Sequence, residues 1–193
     1  GAGASLCAAR GGRSVDTTMG YTPLEGLVMA TRSGTVDPGM VLWLIEHGRL
    51  DASEVREGLE HRAGLAGLSG TGGDMRDVLA ARRSGDGAAT LAVDVYLHRL
   101  RRELASMAAA LGGVDVVAFT GGVGEHSAEV RAAAIAGLGF LGLALDPDAN
   151  AATTGAGSGD RDLTGAGATA ATVVVTARED LEITRQVRAV VGA

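Results

Sequence analysis

The stretch from Asp115 to Arg131, D-V-V-A-F-T-G-G-V-G-E-H-S-A-E-V-R, does most to limit what this chain can fold into. Val116, Val117, Ala118 and Phe119 form a short apolar run, the pattern of a strand buried on both faces. Thr120 to Glu125 then supplies three glycines, so the backbone can turn sharply and approach a ligand with no Cβ in the way. Ser127 is a good N-cap, and a helix is predicted from there to Gly137. Strand, glycine turn and helix start is how α/β proteins offer amide N–H groups and a positive helix end to a phosphorylated ligand. The same spacing also suits a tight βα turn that binds nothing.

At 193 residues a single domain is expected, able to bury about 70% of its unfolded surface. All 17 basic residues are arginine, and the absence of lysine removes a Walker A lysine, a Schiff base to pyridoxal phosphate and a lysine general base. A net charge of −6 argues against nucleic acid, whose binders cluster basic groups. The aromatic residues (Trp43, Tyr21, Tyr96, Phe119 and Phe140) are too few for a stacking platform. Cys7 is the single cysteine, so no disulfide forms within the chain and a reducing cytoplasm is expected. Met40 to Ile45, the longest plain apolar run, is too short to cross a bilayer. No charged-then-apolar leader opens the sequence, so neither secretion nor a membrane partner is expected.

Taken in order, Gly1 to Gly12 reads as a glycine turn, a strand over Ser5 to Ala9 and a hairpin turn at Gly11-Gly12, with Val15 to Met19 returning. Thr22-Pro23-Leu24-Glu25 predicts a helix start with Thr22 as cap, Pro23 at the first position and Glu25 closing a capping box. Asp37-Pro38 predicts another, burying Met40, Val41, Leu44 and Ile45 and stopping at Gly48. Ser53 is expected to cap a polar helix through His61, residues 63 to 73 to be irregular, and Asp74 to Arg83 to be a short helix. The longest helix is predicted from Gly87 to Leu111, with Leu91, Val95, Leu100, Leu104, Met107 and Leu111 as its apolar stripe. Phe140 to Leu145 and Thr172 to Thr176 read as strands, residues 147 to 170 as loop. Glu179 to Val191 reads as a closing helix with Leu181, Ile183, Val187 and Val190 inward. The class is α/β, with more helix than strand.

The histidines, His47, His61, His98 and His126, fall on separate elements with no pair at ligand spacing, so a structural zinc site is not expected. No G-x-S-x-G elbow supports a serine hydrolase. Gly122-x-Gly124-x-x-Ser127 resembles a dinucleotide fingerprint, and Asp146 follows where a ribose-binding acid would stand. More than a hundred residues precede it, whereas that fingerprint normally opens its fold. Arg32, in A-T-R-S-G, suits a helix C-terminal or surface charge. Facing a phosphate, its planar fork would neutralise a phosphoryl group in transfer.

Together these segments resemble a known family. S-V-D-T-T-M-G-Y-T-P-L-E-G-L-V-M-A-T-R-S-G-T-V-D-P (14–38) closely resembles the signature of acetate kinases, and F-T-G-G-V-G-E-H-S-A-E-V-R (119–131) resembles their second glycine-rich segment. D-M-R-D (74–77) and T-A-R-E-D-L-E-I-T-R (176–185) fit in the same order. The likeness covers essentially the whole chain, but only the C-terminal half of such a kinase.

That resemblance implies a ribonuclease H-like, actin-like ATPase fold, a mixed sheet flanked by helices. It implies Mg2+-dependent phosphoryl transfer between ATP and acetate, with ADP and acetyl phosphate as the other pair, by a homodimer. Arg32 holds the place of the arginine that stabilises the phosphoryl in flight, and Pro23 that of the proline lining the acetate methyl pocket. Asp74, Met75 and Arg76 match an adenosine-contacting stretch. Gly122, Val123, Gly124, Glu125 and His126 match the second nucleotide loop, and Gly1, Ala2 and Gly3 the end of the first phosphate loop. Glu179 matches a Mg-associated glutamate, its neighbour Asp180 being one residue away. Thr176 with Glu179 would equally form a capping box.

Ala2 and His126 stand where the family has asparagine, and Ser33 where it often has cysteine. The first domain, with a catalytic histidine and further active-site groups, lies outside this sequence. The chain therefore reads as the C-terminal nucleotide-binding half of an acetate kinase, inactive or nearly so by itself. Alternatives are a propionate or butyrate kinase, a non-catalytic nucleotide-binding or dimerisation module, and an NAD-binding Rossmann domain relying on Asp146.

Overall fold

The computed structural model describes residues 3–152 and 159–192. Their contacts fall into two compact units, one running to Val114 and taking in Ala133–Leu141, the other comprising Asp115–Ala132 and the chain from Gly142.

In the first unit β1 (Cys7–Arg10) pairs antiparallel with β2 (Arg13–Thr17). Gly11 (φ 58°) and Gly12 (φ 75°) make the turn, as the hairpin reading requires. Residues 22–36 form turns and bends instead of the expected helix. Glu25 does not close a capping box: its Oε1 accepts from Thr35 Oγ1 at 2.5 Å, while Thr35 N donates to the Gly26 carbonyl at 3.0 Å. A cross-strand-like pairing has replaced a local one.

α1 (Pro38–Glu46) starts under an Asp37 cap, Asp37 Oδ1 accepting from Gly39 N at 2.8 Å. None of its residues is buried, and Met40, 42% exposed, and Ile45 contradict the inward expectation. The helix packs on α2 (Ala52–His61), and Val41 and Leu44 are its half-covered positions. Asp51, rather than Ser53, caps α2 through a full capping box with Glu54. Within the stretch expected to be irregular lies α3 (Gly64–Ser69), and α4 (Met75–Arg83) follows its Asp74 cap.

α5 (Gly87–Leu111) has the predicted bounds and is the core of this unit, with α3 and α4 packed on it. Its buried face is Ala89, Ala92, Val93, Tyr96, Leu97, Leu100, Met107 and Ala108. Leu91 is 54% exposed. The stripe is rotated from the expected one because alanines, not only leucines, face inward. Small side chains let neighbouring helices approach closely.

In the second unit β3 (Val116–Phe119) runs parallel to β5 (Ala171–Val174), and β4 (Arg161–Asp162) pairs antiparallel with β5. The order β3-β5-β4 leaves β3 on an edge. Val116, 54% exposed, and Ala118 share one face that nothing among the described residues covers, so the expectation of a strand buried on both faces fails. The glycine turn is itself helical, α6 (Gly121–His126), followed by α7 (Ala128–Ala136), whose end belongs to the first unit. Residues 139–141 form a 3-10 turn, and the strand expected over Phe140 to Leu145 is reduced to single bridges, Leu143 with Ala170 and Leu145 with Thr164. The expected loop contains α8 (Pro147–Ala151) as well as β4.

α9 (Glu179–Val191) again has the predicted bounds, yet Leu181, Ile183, Val187 and Val190 are all exposed rather than inward. Amphipathicity states that a face wants cover, not that this chain supplies it. Among the described residues no helix is long and apolar enough to cross a membrane.

Candidate functional site

In the first unit, the chain around Arg32 is held by backbone from distant segments. Met29 N donates to the Arg32 carbonyl at 3.1 Å, closing a tight turn. On one side Ala63 N, Leu65 N and Ala66 N donate to the carbonyls of Thr31, Met29 and Ala30, each at 2.9 Å. On the other, Ser33 N donates to the Leu59 carbonyl at 3.0 Å. Gly64 allows this closeness: it sits at φ +59°, and a Cβ there would run into the Met29 carbonyl oxygen. The turn before α4 approaches the same loop, since a Cβ on Gly73 would strike the Ala30 carbonyl.

Arg32 is half-buried, and no carboxylate pairs with it among the described residues. Its Nη1 donates to the Pro23 carbonyl at 3.3 Å and lies 4.0 Å from Met29 Sδ. A Cβ built on Gly3 would lie 3.6 Å from the same nitrogen. Arg32, Pro23 and Gly3 are thus brought together. Gly1 and Ala2 lie outside the described residues. A guanidinium without an anionic partner retains donors for a phosphate or carboxylate.

Asp74, Met75 and Arg76 divide by role. Asp74 Oδ1 caps α4 by accepting from Arg76 N at 2.8 Å, and Arg76 Nη2 donates to Asp74 Oδ2 at 2.5 Å. Hydrogen bonding from Arg76 holds the Asp74 carboxyl at about 2, and the same pairing raises the Arg76 pKa. Met75 is buried in the core, so only its two neighbours offer exposed polar groups.

The second unit holds the glycine turn. Gly121 has φ +71°. Glu125 folds back so that its Oε1 accepts from Gly121 N at 2.8 Å and from Ala177 N at 2.9 Å. His126 Nδ1 lies 2.9 Å from the Gly122 carbonyl. Gly122 is exposed, and Val123 and Gly124 are half-buried. Arg131, fully buried, donates through Nη1 to the carbonyls of Gly124 and Glu125, both at 2.8 Å. Its Nε donates to Asn150 Oδ1 at 2.8 Å, and burial lowers its pKa. Sequence reading missed Arg131 and the inward turn of Glu125. The available signal was an arginine following the glycine turn at helical spacing.

Glu179 opens α9, and its carboxylate has no partner among the described residues. Thr176 does not cap this helix: Arg178 is the N-cap, without a side-chain bond, so the expected capping box is absent. No group of three His, Cys, Asp or Glu side chains that could hold a metal ion occurs among the described residues. A lone exposed carboxylate suits a magnesium ion that keeps waters and arrives with phosphates, not a caged resident ion. Asp146 accepts from Asp148 N and Ala149 N through Oδ1, both at 2.9 Å, and so caps α8.

The Acetokinase family model matches residues 1–185. The chain is 49% identical over all 193 residues to the acetate kinase of Leifsonia xyli subsp. xyli, covering 48% of that protein. It is 51% identical over 146 residues to the acetate kinase of Nostoc punctiforme, covering 76% of this chain and 36% of that one. Among solved structures it resembles the acetate kinase of Porphyromonas gingivalis, with a TM-score of 0.89 and 35% identity over 96% of this chain and 46% of that one. A propionate kinase from Francisella tularensis is similar at a TM-score of 0.86 and 34% identity, over 94% of this chain and 45% of that one. The fold is that of the actin-like ATPases, and the dinucleotide-binding alternative is set aside. The chain spans less than half the length of these relatives. It belongs to the acetokinase family, a family of phosphotransferases.

Proposed function

We propose that this chain is the C-terminal, nucleotide-binding half of an acetate kinase, which transfers a phosphoryl group reversibly between ATP and acetate. The observation that carries the reading is Arg32: a half-buried guanidinium with no carboxylate partner among the described residues, beside Gly3 and the Pro23 carbonyl. Phosphoryl transfer needs little covalent help from protein and much positioning and charge neutralisation. Arg32 supplies donors to the equatorial oxygens of the phosphoryl in flight, on a loop whose backbone bonds cost it little reorganisation. Pro23 lines the acetate methyl pocket, and Gly1, Ala2 and Gly3 close the first phosphate loop. Asp74, Met75 and Arg76 border the adenosine, and Gly122, Val123, Gly124, Glu125 and His126 form the second nucleotide loop. Glu179 is the carboxylate toward Mg2+, which when bound neutralises phosphate charge.

A propionate kinase is the second reading, favoured by the likeness to the Francisella tularensis structure. The intact protein is a cytoplasmic homodimer in either case. The test is acyl phosphate formation from ATP with acetate, propionate or butyrate. The chain by itself is expected to turn over almost nothing, because half of the cleft that excludes water is supplied elsewhere. The chain joined to a family N-terminal half is expected to be active, with acetate preferred. Normal turnover by the chain alone, or none from the joined protein with any of the three acids, overturns the proposal.

A further inference from the structure

Glu125 lies in the middle of the nucleotide loop, yet its side chain is directed at protein. Its Oε1 bridges two backbone amides from separate segments, Gly121 N at 2.8 Å and Ala177 N at 2.9 Å. Gly121 opens the glycine turn, and Ala177 is two residues ahead of Glu179 at the start of α9. On the opposite side Arg131 holds the carbonyls of Gly124 and Glu125. Its guanidinium also reaches Asn150, which is buried and donates through Nδ2 to the Ala128 carbonyl at 2.9 Å. A carboxylate therefore ties the amide end of the turn and a guanidinium ties its carbonyl end. Both are charge-assisted hydrogen bonds, stronger than neutral ones.

We propose that Glu125 is a positioning residue that clamps the glycine turn to the segment carrying Glu179, so that nucleotide loop and α9 start are held in one register, and that its carboxylate touches neither nucleotide nor metal. This rests on the nucleotide role proposed above for the loop. The clamp needs an acceptor oxygen at the reach of a glutamyl side chain, and the charge adds strength to the two bonds without setting their geometry. Glutamine supplies that oxygen. Aspartate keeps the charge but is one methylene too short to bridge both amides.

The first measurement uses this chain without nucleotide, reading amide hydrogen exchange at Gly121 and Ala177 by NMR. E125A and E125D are expected to raise exchange at both amides together by about tenfold or more, and E125Q to restore most of the protection. The second uses the chain joined to a family N-terminal half. There E125A and E125D are expected to raise KM for ATP by about tenfold with a smaller change in kcat, and E125Q to recover most of that loss. Unchanged exchange in E125A overturns the clamp. E125D outperforming E125Q in KM also overturns it, since that order requires the charge to meet ligand or ion. Because the exchange measurement needs no turnover, a protein inactive on every acid would sink the kinase reading and leave the clamp to be judged separately.

Discussion

Gly64 lies directly under the backbone of Arg32. A Cβ at Gly64 would stand 3.1 Å from the Arg32 amide nitrogen and collide with the Met29 carbonyl oxygen, and the residue holds φ +59°. Both facts exclude a side chain. We expect G64A to destabilise the chain by about 2–4 kcal/mol, from left-handed backbone strain plus overpacking. Denaturant unfolding checks this, and a loss below about 0.5 kcal/mol, the range of an ordinary surface change, would refute it.

The Arg32 side chain contributes little to folding, since among the described residues the one oxygen its guanidinium reaches is the Pro23 carbonyl, at 3.3 Å. R32A is expected to lower stability by about 1 kcal/mol or less. In the chain joined to a family N-terminal half it should lower kcat about 10³-fold. R32K should be nearly as impaired, because a point ammonium does not replace a planar fork. Retained kcat in R32A, with folding intact, refutes the assignment.

The Asp74–Arg76 pair makes a pH prediction. Hydrogen bonding from Arg76 depresses the Asp74 carboxyl from 3.8 to about 2. A depressed carboxylate stabilises the fold above its unfolded value, and that contribution disappears as pH falls through the folded value. The window is therefore pH 4 to 2, about, and the effect is small because the pair is exposed and screened by salt. NMR titration of the Asp74 carboxyl carbon should give a midpoint about 2, and R76M should move it up toward 3.8. An unmoved midpoint in R76M counts against the pair.

Arg131 makes the opposite prediction to Arg32. R131M preserves much of the volume but strips the carbonyls of Gly124 and Glu125, and Asn150 Oδ1, of a buried donor. A loss of about 3 kcal/mol or more is expected, the scale for breaking a buried charged network. Thermal or denaturant unfolding measures it. A neutral result would mean that water replaces the guanidinium.

Local chemistry was readable wherever it is settled within a few residues. Glu179–Val191 and, to within about a residue, Gly87–Leu111 lie where the sequence puts them, and Asp37-Pro38 and Gly11-Gly12 are a helix start and a hairpin turn as read. The helix start at Thr22–Glu25 was equally well written, and it failed. Glu25 has a stronger partner in Thr35, and that pairing exists only once the chain has folded back.

By itself, then, the sequence determined the α/β class, the long helices and the family, because caps, glycine turns and motifs are short-range or carried residue by residue. Tertiary structure alone decided which faces are covered and how the loops are held. Leu181 and Val190 are exposed, Gly64 and Gly73 seat the Arg32 loop from far along the chain, and Glu125 reaches Ala177. Burial and bridging hydrogen bonds depend on which distant backbone arrives alongside, and no local pattern encodes that arrival.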